Sequence, residues 1–406
     1  MPEPSCTRRL FAYSLIISSG SVLIRARIGV QRFIDVSIGT LFDKERFQNR
    51  GRTHNMSGVM ELKAQEHKSI AAEIVGFDAD IRQPRISYST IAVEEVRRLA
   101  TRYYKFPNPM RCVLYHRGIN DVYKITLPER QFALRISRAN WRTRSALLSE
   151  LTVINHLHEK GIEVAFPIPR ADSDWITEIM APEGLRYVMV YSWVDGSKIK
   201  YDSESNVQQL GRLIARVHNA LGDMAPQPAL PNMDVNFLLR MSLDVIRPAV
   251  AERPSILLEL TELARRLELR LTLISGTLRD WGLCHGDVAN HNAHVDGDRC
   301  VLFDFDFCGW GWRLFDLATY RLQARCEGFE KQAWSPFIRE YLALRPDVEA
   351  SLEHVGLFMC LRYLWIAGKS VERLDEEGIG ALPDTYFETL IRVCKGIEAD
   401  CRDYSP

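Results

Sequence analysis

The sequence predicts an α+β chain of two lobes, a small antiparallel sheet followed by a mostly helical part. Between residues 112 and 136, short runs alternate apolar and polar residues as half-buried strands do. Between residues 203 and 279, apolar residues recur every three or four positions, which indicates amphipathic helices. Between residues 283 and 320, short apolar runs alternate with loops that carry acidic and amide side chains. We therefore expect polar groups to collect in a cleft between the lobes.

The composition is that of a globular protein without an excess of either charge. Of the 406 residues, 46% are hydrophobic and 26% are charged, which suits one large or two moderate domains. The 52 Lys and Arg residues balance the 52 Asp and Glu residues, so no basic field attracts nucleic acid. No apolar run reaches the ~18 residues of a membrane span. The nine cysteines form no CxxC pair, which indicates reduced thiols, a cytoplasmic location and no zinc site.

The first 86 residues show no sustained helical or strand period, and we expect a disordered extension there. The apolar stretch Leu10–Ile24 follows two arginines as a signal sequence would, but its Ser-Ser-Gly-Ser interruption argues against one. Met56 or Met60 could begin a protein that keeps every motif described below.

The stretch from Leu283 to Tyr320 contains the side chains that are best suited to catalysis and metal binding. Asp287 follows a His-Gly pair, Asn292 lies five positions further on, and Asp304 and Asp306 follow an apolar run that looks like a strand. Phosphoryl transfer requires a carboxylate that accepts the acceptor proton and oxygen ligands that hold Mg²⁺ on the nucleotide phosphates. Asp287 is therefore the candidate catalytic carboxylate, and the other three residues are candidate metal ligands.

His285 is a further catalytic candidate with two interpretations. A histidine at this place either braces the loop through hydrogen bonds or shuttles a proton, and bracing is the more common role.

At these residues the chain resembles the aminoglycoside phosphotransferase and choline kinase superfamily, whose catalytic loop is HGDxxxxN and whose fold is protein-kinase-like. The resemblance implies ATP and Mg²⁺ as cofactors, Asp287 as the catalytic residue, and Asn292 and Asp304 as metal ligands. It also implies that Asp316, in the sequence Phe-Asp-Leu-Ala, is a structural residue of the N-cap type. The wider sequence is most similar to bacterial homoserine-kinase-type and stress-response kinase-like phosphotransferases.

The nucleotide-binding lobe should precede this stretch. Residues 112–127 read as two strands joined by a turn with Gly118 and Asn120, where a kinase places the loop that covers the phosphates. A lone glycine in a hairpin is also an ordinary turn residue.

Arg135 lies in a predicted strand at the place of the phosphate-contacting lysine. Glu150 follows on a helical stretch, so an Arg135–Glu150 ion pair is expected, although a strand arginine with a solvated tip is the alternative. Arg138, Arg142 and Arg144 are expected to be mostly surface charges, of which one could meet an anionic substrate.

The segment Leu185–Gly196 is an apolar strand at the position of the hinge between the lobes. Backbone groups from Val190 to Ser192 would contact adenine, and Met189 or Tyr191 could line the base pocket. An ordinary core strand explains the same residues equally well.

The acceptor is less clearly indicated. Homoserine, choline-like amines, amino sugars and aminoglycosides all present a hydroxyl near a cation, and Asp375, Glu376, Glu377 and Asp384 are candidate acceptor carboxylates. Arg362, on an otherwise apolar helix, either reaches the acceptor pocket or forms an internal ion pair. We expect a small-molecule acceptor and make no prediction about the oligomeric state.

These assignments divide the chain into the extension, a nucleotide-binding N-lobe at 87–196, and a C-lobe for catalysis and acceptor binding at 197–406. The connection between Asp306 and Asp316 is too short for the activation segment of a regulated protein kinase, which favours an ungated small-molecule kinase. A protein Ser/Thr kinase of the stress-response type is one alternative. A nucleotide-binding pseudokinase scaffold is another, motivated by Arg135 and by the Asn290-His291 pair in the catalytic loop.

Overall fold

The computed structural model describes residues 13–18, 21–28, 32–38, 85–374, 378 and 382–402. The chain divides into two units, Met1–Gln83 and Pro84–Pro406. In the first unit, three strands pair antiparallel in the order β1-β2-β3: β1 (Tyr13–Ser18), β2 (Ser21–Ile28) and β3 (Arg32–Ile38). These strands lie within the stretch for which the sequence predicts a disordered extension, and that expectation stays a prediction. The boundary of the extension stays a prediction.

The second unit begins with the N-lobe, whose main sheet is antiparallel. Its elements are α1 (Val93–Tyr104), β4 (Arg111–Arg117), β5 (Asp121–Thr126), β6 (Gln131–Ile136), α2 (Arg144–Glu159), β7 (Pro167–Ile168), β8 (Thr177–Ala181) and β9 (Gly184–Ser192). The strand order is β4-β5-β6-β9-β7, and β8 also pairs with β9. This sheet agrees with the small antiparallel lobe that the sequence predicts.

Side-chain alternation explains how this sheet is covered. Tyr123 and Ile125 of β5 are buried, while Lys124 between them is half-buried. They pack in one cluster with Val96 and Ala100 of α1, so α1 covers this face of the sheet. The other helix, α2, begins after Thr143, whose hydroxyl accepts a hydrogen bond from the Ala146 amide at 3.2 Å.

The C-lobe is mostly helical. Its elements are β10 (Ser197–Lys198), α3 (Glu204–Ala220), α4 (Met241–Ala249), α5 (Pro254–Ile274), β11 (Trp281–Cys284), β12 (Ala293–Asp296), β13 (Arg299–Leu302), β14 (Gly309–Trp312), α6 (Leu314–Cys326), α7 (Glu330–Leu344), α8 (Val355–Val371) and α9 (Tyr386–Arg402). A π-helical turn, Asn236–Arg240, leads into α4, and a 3-10 segment, Pro346–His354, leads into α8.

Helix α8 lies in the core of the C-lobe. It packs against α4, α6 and α9, and it buries Phe358, Leu361 and Trp365. A helix that is apolar on most of its surface is an internal helix. Arg362 in its middle is also buried, and such a charge needs a partner.

Two small sheets of the C-lobe flank the loops that contain the predicted site residues. β11 pairs with β14, and β12 pairs with β10 and β13. Residues 285–292 join β11 to β12, and residues 303–308 join β13 to β14. The Phe303 amide donates to the Asn292 carbonyl at 2.9 Å, so the two loops lie side by side.

The predicted two-lobe α+β organisation is thus confirmed. Within the part of the chain that the structure describes, no helix is both long enough and apolar enough to cross a bilayer. Seven of the cysteines in that part are free thiols: Cys112, Cys284, Cys300, Cys308, Cys326, Cys360 and Cys394.

Candidate active site

The first loop of the site, residues 285–292, has a backbone that requires glycine. Gly286 has a φ of +82°, a conformation that side chains disfavour. A Cβ added at this position would collide with the Phe307 carbonyl of the neighbouring loop. Gly286 therefore lets the loops with the catalytic and metal candidates approach closely.

Asp287 and Asn292 are brought together as predicted. The Asn292 Nδ2 donates to the Asp287 carbonyl at 3.0 Å and to the Asp287 Oδ2 at 2.8 Å. Arg362 Nη2 donates to the other carboxylate oxygen, Oδ1, at 2.5 Å. Because the Asn292 nitrogen faces Asp287, its amide oxygen is the atom left to bind a metal.

His285 braces the loop. It is fully buried, its Nε2 lies 3.0 Å from the Phe303 carbonyl, and its Nδ1 accepts from the Asp287 amide at 3.2 Å. A ring that donates at one nitrogen and accepts at the other is neutral. Burial lowers the pKa of His285, which agrees with this assignment. Both ring nitrogens are bonded to backbone, so the geometry favours the bracing interpretation over the proton shuttle.

Asp316 anchors this loop from α6. Its carboxylate accepts hydrogen bonds from the backbone amides of His285 at 2.7 Å and Gly286 at 2.8 Å. His218 Nε2 lies 2.9 Å from Asp316 Oδ2. Burial would raise the pKa of Asp316, but the hydrogen bonds from His218 and from the Gly286 amide hold it below its usual value. The predicted N-cap position was wrong, because Arg313 occupies it and Asp316 lies inside the helix, where its side chain serves the neighbouring loop instead.

Asp304 lies in the second loop in a strained conformation. It is exposed, and its φ of +65° is uncommon for a residue other than glycine. The protein groups around the cleft desolvate this carboxylate although the residue stays accessible to solvent, and this desolvation and, second, the charge of Asp306 raise the pKa of Asp304 to about 7. A cation bound there would favour the ionised form and reverse that shift.

Asp306 faces the N-lobe. Its Oδ2 accepts from Asn120 Nδ2 at 3.0 Å and from the Trp141 indole at 3.2 Å, while Arg142 donates to its carbonyl at 3.0 Å. Arg135 Nη1 lies 3.6 Å from its Oδ1. Donors therefore occupy Asp306 Oδ2, whereas its buried Oδ1 has no hydrogen-bond partner among the described residues, and the metal role of Asp306 stays a prediction.

Arg135 and Glu150 form the predicted ion pair, with Arg135 Nη2 at 2.6 Å from Glu150 Oε1. Arg142 Nη1 contacts the other carboxylate oxygen at 2.5 Å, so Glu150 lies between two arginines. Burial would lower the pKa of Arg135, but the charge of Glu150 raises it well above its usual value. The expectation that Arg142 is a surface charge was wrong. Its side chain is 10% exposed, because it completes this buried pair.

The predicted phosphate-covering turn joins β4 to β5. The Gly118 amide donates to the Asn120 carbonyl at 3.1 Å, and the Asn120 side chain reaches Asp306. The turn therefore approaches the second loop, where phosphates would lie in a kinase.

The predicted base-contacting strand is β9. At Val190 and Tyr191 it pairs on both sides, with β6 and with β7, and the Ser192 amide donates to the Phe166 carbonyl at 2.9 Å. Met189 is buried, with its Sδ 3.8 Å from Arg135 Nη2. The Trp193 amide also donates, to the Gln131 carbonyl at 3.3 Å, so this stretch of backbone is engaged by its neighbours and its contact with adenine stays a prediction.

The donor set fits a divalent cation only in part. Among the described residues, no three His, Cys, Asp or Glu side chains converge closely enough to hold a metal by themselves. Mg²⁺ in a kinase needs only one or two protein oxygens besides phosphate and water. Asn292 and Asp304 fit that requirement.

Comparisons with known proteins identify the family of the chain. A model of the phosphotransferase enzyme family (APH) matches residues 115–350. The chain belongs to this family. It is therefore a kinase-like phosphotransferase with an alcohol group as acceptor.

Relatives and solved structures extend this comparison. An uncharacterised protein of Deinococcus radiodurans is 31% identical over 306 residues, which cover 74% of this chain and 88% of that protein. A structure of an aminopropanol kinase associated with a microcompartment has a TM-score of 0.61 at 20% identity, covering 77% of this chain and 97% of that one. An amicoumacin kinase in complex with AMP-PNP, Ca²⁺ and Ami has a TM-score of 0.58 at 22% identity, covering 82% of this chain and 96% of that one.

The acceptor side is described in part. Asp375, Glu376 and Glu377 lie outside the described residues, and Asp384 is exposed in the turn before α9. Arg362 forms the internal ion pair that was one of its two interpretations, with Asp287 itself as the partner.

Proposed function

We propose that the protein transfers the γ-phosphoryl group of ATP, with Mg²⁺, to a hydroxyl of a small metabolite or an aminoglycoside-like acceptor. The observation that carries this proposal is the arrangement of Asp287, Asn292 and Asp304. One carboxylate is held by an amide whose oxygen stays available, and a second, exposed carboxylate lies in the adjacent loop.

Each of these residues would have a separate role in phosphoryl transfer. Asp287 would accept the hydroxyl proton of the acceptor, because each of its oxygens keeps a lone pair after bonding to Asn292 or Arg362. Asn292 and Asp304 would hold the metal. When bound, Mg²⁺ neutralises charge on the phosphates. Arg135 would contact phosphate oxygens, since Glu150 orients its guanidinium toward the cleft.

A small acceptor is supported by the short connection after the second loop. Between Asp306 and Asp316 the chain forms only β14 and the start of α6, with no long activation segment. The solved structures with this fold include an aminopropanol kinase and an amicoumacin kinase, the latter with AMP-PNP and Ca²⁺. Their acceptors differ, so we propose the acceptor class and no single compound.

The test is an ADP-release assay on the purified protein with Mg²⁺-ATP and a panel of amino alcohols, homoserine, amino sugars and aminoglycosides. We expect Mg²⁺-dependent ADP formation that increases with at least one acceptor. The Asp287→Asn variant should bind nucleotide as the unmodified protein does and lose transfer by roughly 10³-fold. Asp298→Asn, an exposed carboxylate in the β12–β13 turn, is the matched control and should change nothing.

Two outcomes would contradict the proposal. Full activity of Asp287→Asn would remove its assigned role. Magnesium-dependent ATP binding in calorimetry without turnover across the panel would favour the pseudokinase scaffold. Against that scaffold, the side chains of Asn290 and His291 contact Glu327, which follows α6, and Gln323 of α6. Phosphorylation of a protein substrate only would favour the protein-kinase alternative.

A further inference from the structure

Arg362 is a buried cation that contacts the catalytic loop from the core of the C-lobe. Its side chain is 8% exposed. Nη1 donates to the Gly286 carbonyl at 3.0 Å, and Nη2 donates to Asp287 Oδ1 at 2.5 Å. The guanidinium lies 4.8 Å from the ring centre of Trp365, one turn further along α8. A buried guanidinium is stable only when such partners compensate its charge. The contacts with the catalytic loop therefore determine the position of the Arg362 side chain.

The two oxygens of Asp287 are held from two directions. Arg362 reaches Oδ1 from α8, and Asn292 reaches Oδ2 from the end of the same loop. A carboxylate with only one partner can rotate about its terminal bond. With a donor on each oxygen, the plane of the Asp287 carboxylate is fixed, and the remaining lone pairs have fixed directions.

The contact of Arg362 with this loop differs from that of Asp316. Asp316 accepts hydrogen bonds from the backbone amides of His285 and Gly286 and does not contact the side chain of Asp287. Arg362 contacts both the carbonyl of Gly286 and the carboxylate of Asp287. Loss of Arg362 would therefore release the reacting group even where the loop backbone stays in place.

We infer that Arg362 is a positioning residue for the transfer reaction, which orients the Asp287 carboxylate toward the acceptor hydroxyl. This inference rests on the proposed function of Asp287 as the base. Arg362 acts through Asp287 and does not itself exchange a proton. Displacement of a reacting group by about 1 Å costs on the order of 10²-fold in rate, and this is the loss we expect when Arg362 is removed.

The experiment compares Arg362→Lys and Arg362→Met with Arg170→Met as control. Arg170 has the same three kinds of partner, far from the catalytic loop: the Ile176 carbonyl at 2.8 Å, the Asp172 carboxylate at 2.5 Å and the Tyr103 ring at 4.7 Å. The readouts are ADP formation from Mg²⁺-ATP with water in the place of the acceptor hydroxyl, the KM for ATP, and the melting temperature.

We expect Arg362→Met to lower kcat by about 10²-fold while the KM for ATP changes less than about threefold, because the nucleotide site is untouched. Arg362→Lys should recover part of kcat, since an ammonium can still donate to Asp287. Arg170→Met should lower the melting temperature without lowering kcat. A kcat of Arg362→Met within threefold of the unmodified protein would overturn the inference, as would equal loss of kcat in Arg170→Met.

If the unmodified protein shows no turnover at all, the proposed function fails, and the role of Arg362 needs a measurement other than kinetics. Crystal structures of Arg362→Lys and Arg362→Met provide that measurement. We expect the Asp287 carboxylate to rotate away from its position in Arg362→Met and to keep it in Arg362→Lys. An unchanged carboxylate in Arg362→Met would show that Arg362 does not orient it. If Arg362→Met fails to fold, Arg362→Gln provides the same comparison, because its amide can still donate to the Gly286 carbonyl.

Discussion

Replacement of Asp316 by alanine should strongly destabilise the protein. Asp316 is completely buried and accepts from the amides of His285 and Gly286 and from the ring of His218. Alanine would leave these three buried donors without an acceptor, and each orphaned donor costs ~1–3 kcal/mol. Partial relaxation of the loop lowers the sum, so we expect a loss of about 4 kcal/mol in the free energy of unfolding. That is a large part of the ~5–15 kcal/mol that stabilises a typical protein.

The measurement is urea unfolding followed by tryptophan fluorescence. For a denaturant slope of about 3–4 kcal/mol/M, the midpoint of Asp316→Ala should decrease by about 1 M. The midpoint of Asp316→Asn should lie between those of the unmodified protein and Asp316→Ala. The amide keeps one oxygen as an acceptor but points its NH₂ group at one of the three donors. Asp244, also an acid in the first turn of a helix but 71% exposed, is the matched control. Asp244→Asn should leave the midpoint unchanged, and a decrease below about 0.2 M for Asp316→Ala would refute the reasoning.

Four other changes test the remaining assignments. Asp304→Asn should raise the Mg²⁺ concentration for half-maximal turnover at least about tenfold. The pKa values of His218 and His285 are lowered by burial, so below about pH 6.5 the unfolded chain binds protons that the folded chain does not. The melting temperature should therefore fall from pH 7 to pH 5, and less steeply in His218→Gln. Gly286→Ala, with its positive φ and nearby backbone, should destabilise by about 2 kcal/mol in urea unfolding. A chain that begins at Met60 should keep its melting temperature and turnover.

The catalytic loop was predictable because its geometry is local. Asp287 and Asn292 are five positions apart, and that spacing alone lets the amide reach back to the carboxylate. The Arg135–Glu150 pair was also predictable, since a strand and the helix that follows it usually pack together. Both predictions depended on short separations along the chain.

Contacts between distant segments were not predictable in this way. Arg362 and Asp287 lie 75 positions apart, and His218 and Asp316 lie 98 apart. Periodicity shows that a residue is on a buried face, but it does not show which residue of another element it meets. An arginine inside an apolar helical run was the one available signal for Arg362. It indicated that a partner exists, and only the packing of α8 against the loop identified the partner as Asp287.

The distribution of arginines distinguishes the carboxylates of the cleft from one another. Glu150 contacts Arg135 and Arg142, and Asp287 contacts Arg362. Asp306 lies within 4 Å of the same two N-lobe arginines as Glu150. In the part of the chain that the structure describes, Asp304 forms no such pair, and desolvation and, second, the charge of Asp306 raise its pKa. A carboxylate that is costly to ionise alone becomes favourable to ionise beside a cation. The charge pattern therefore makes the ionisation of Asp304 depend more on a bound cation than that of Asp306, and the metal role of both aspartates stays a prediction.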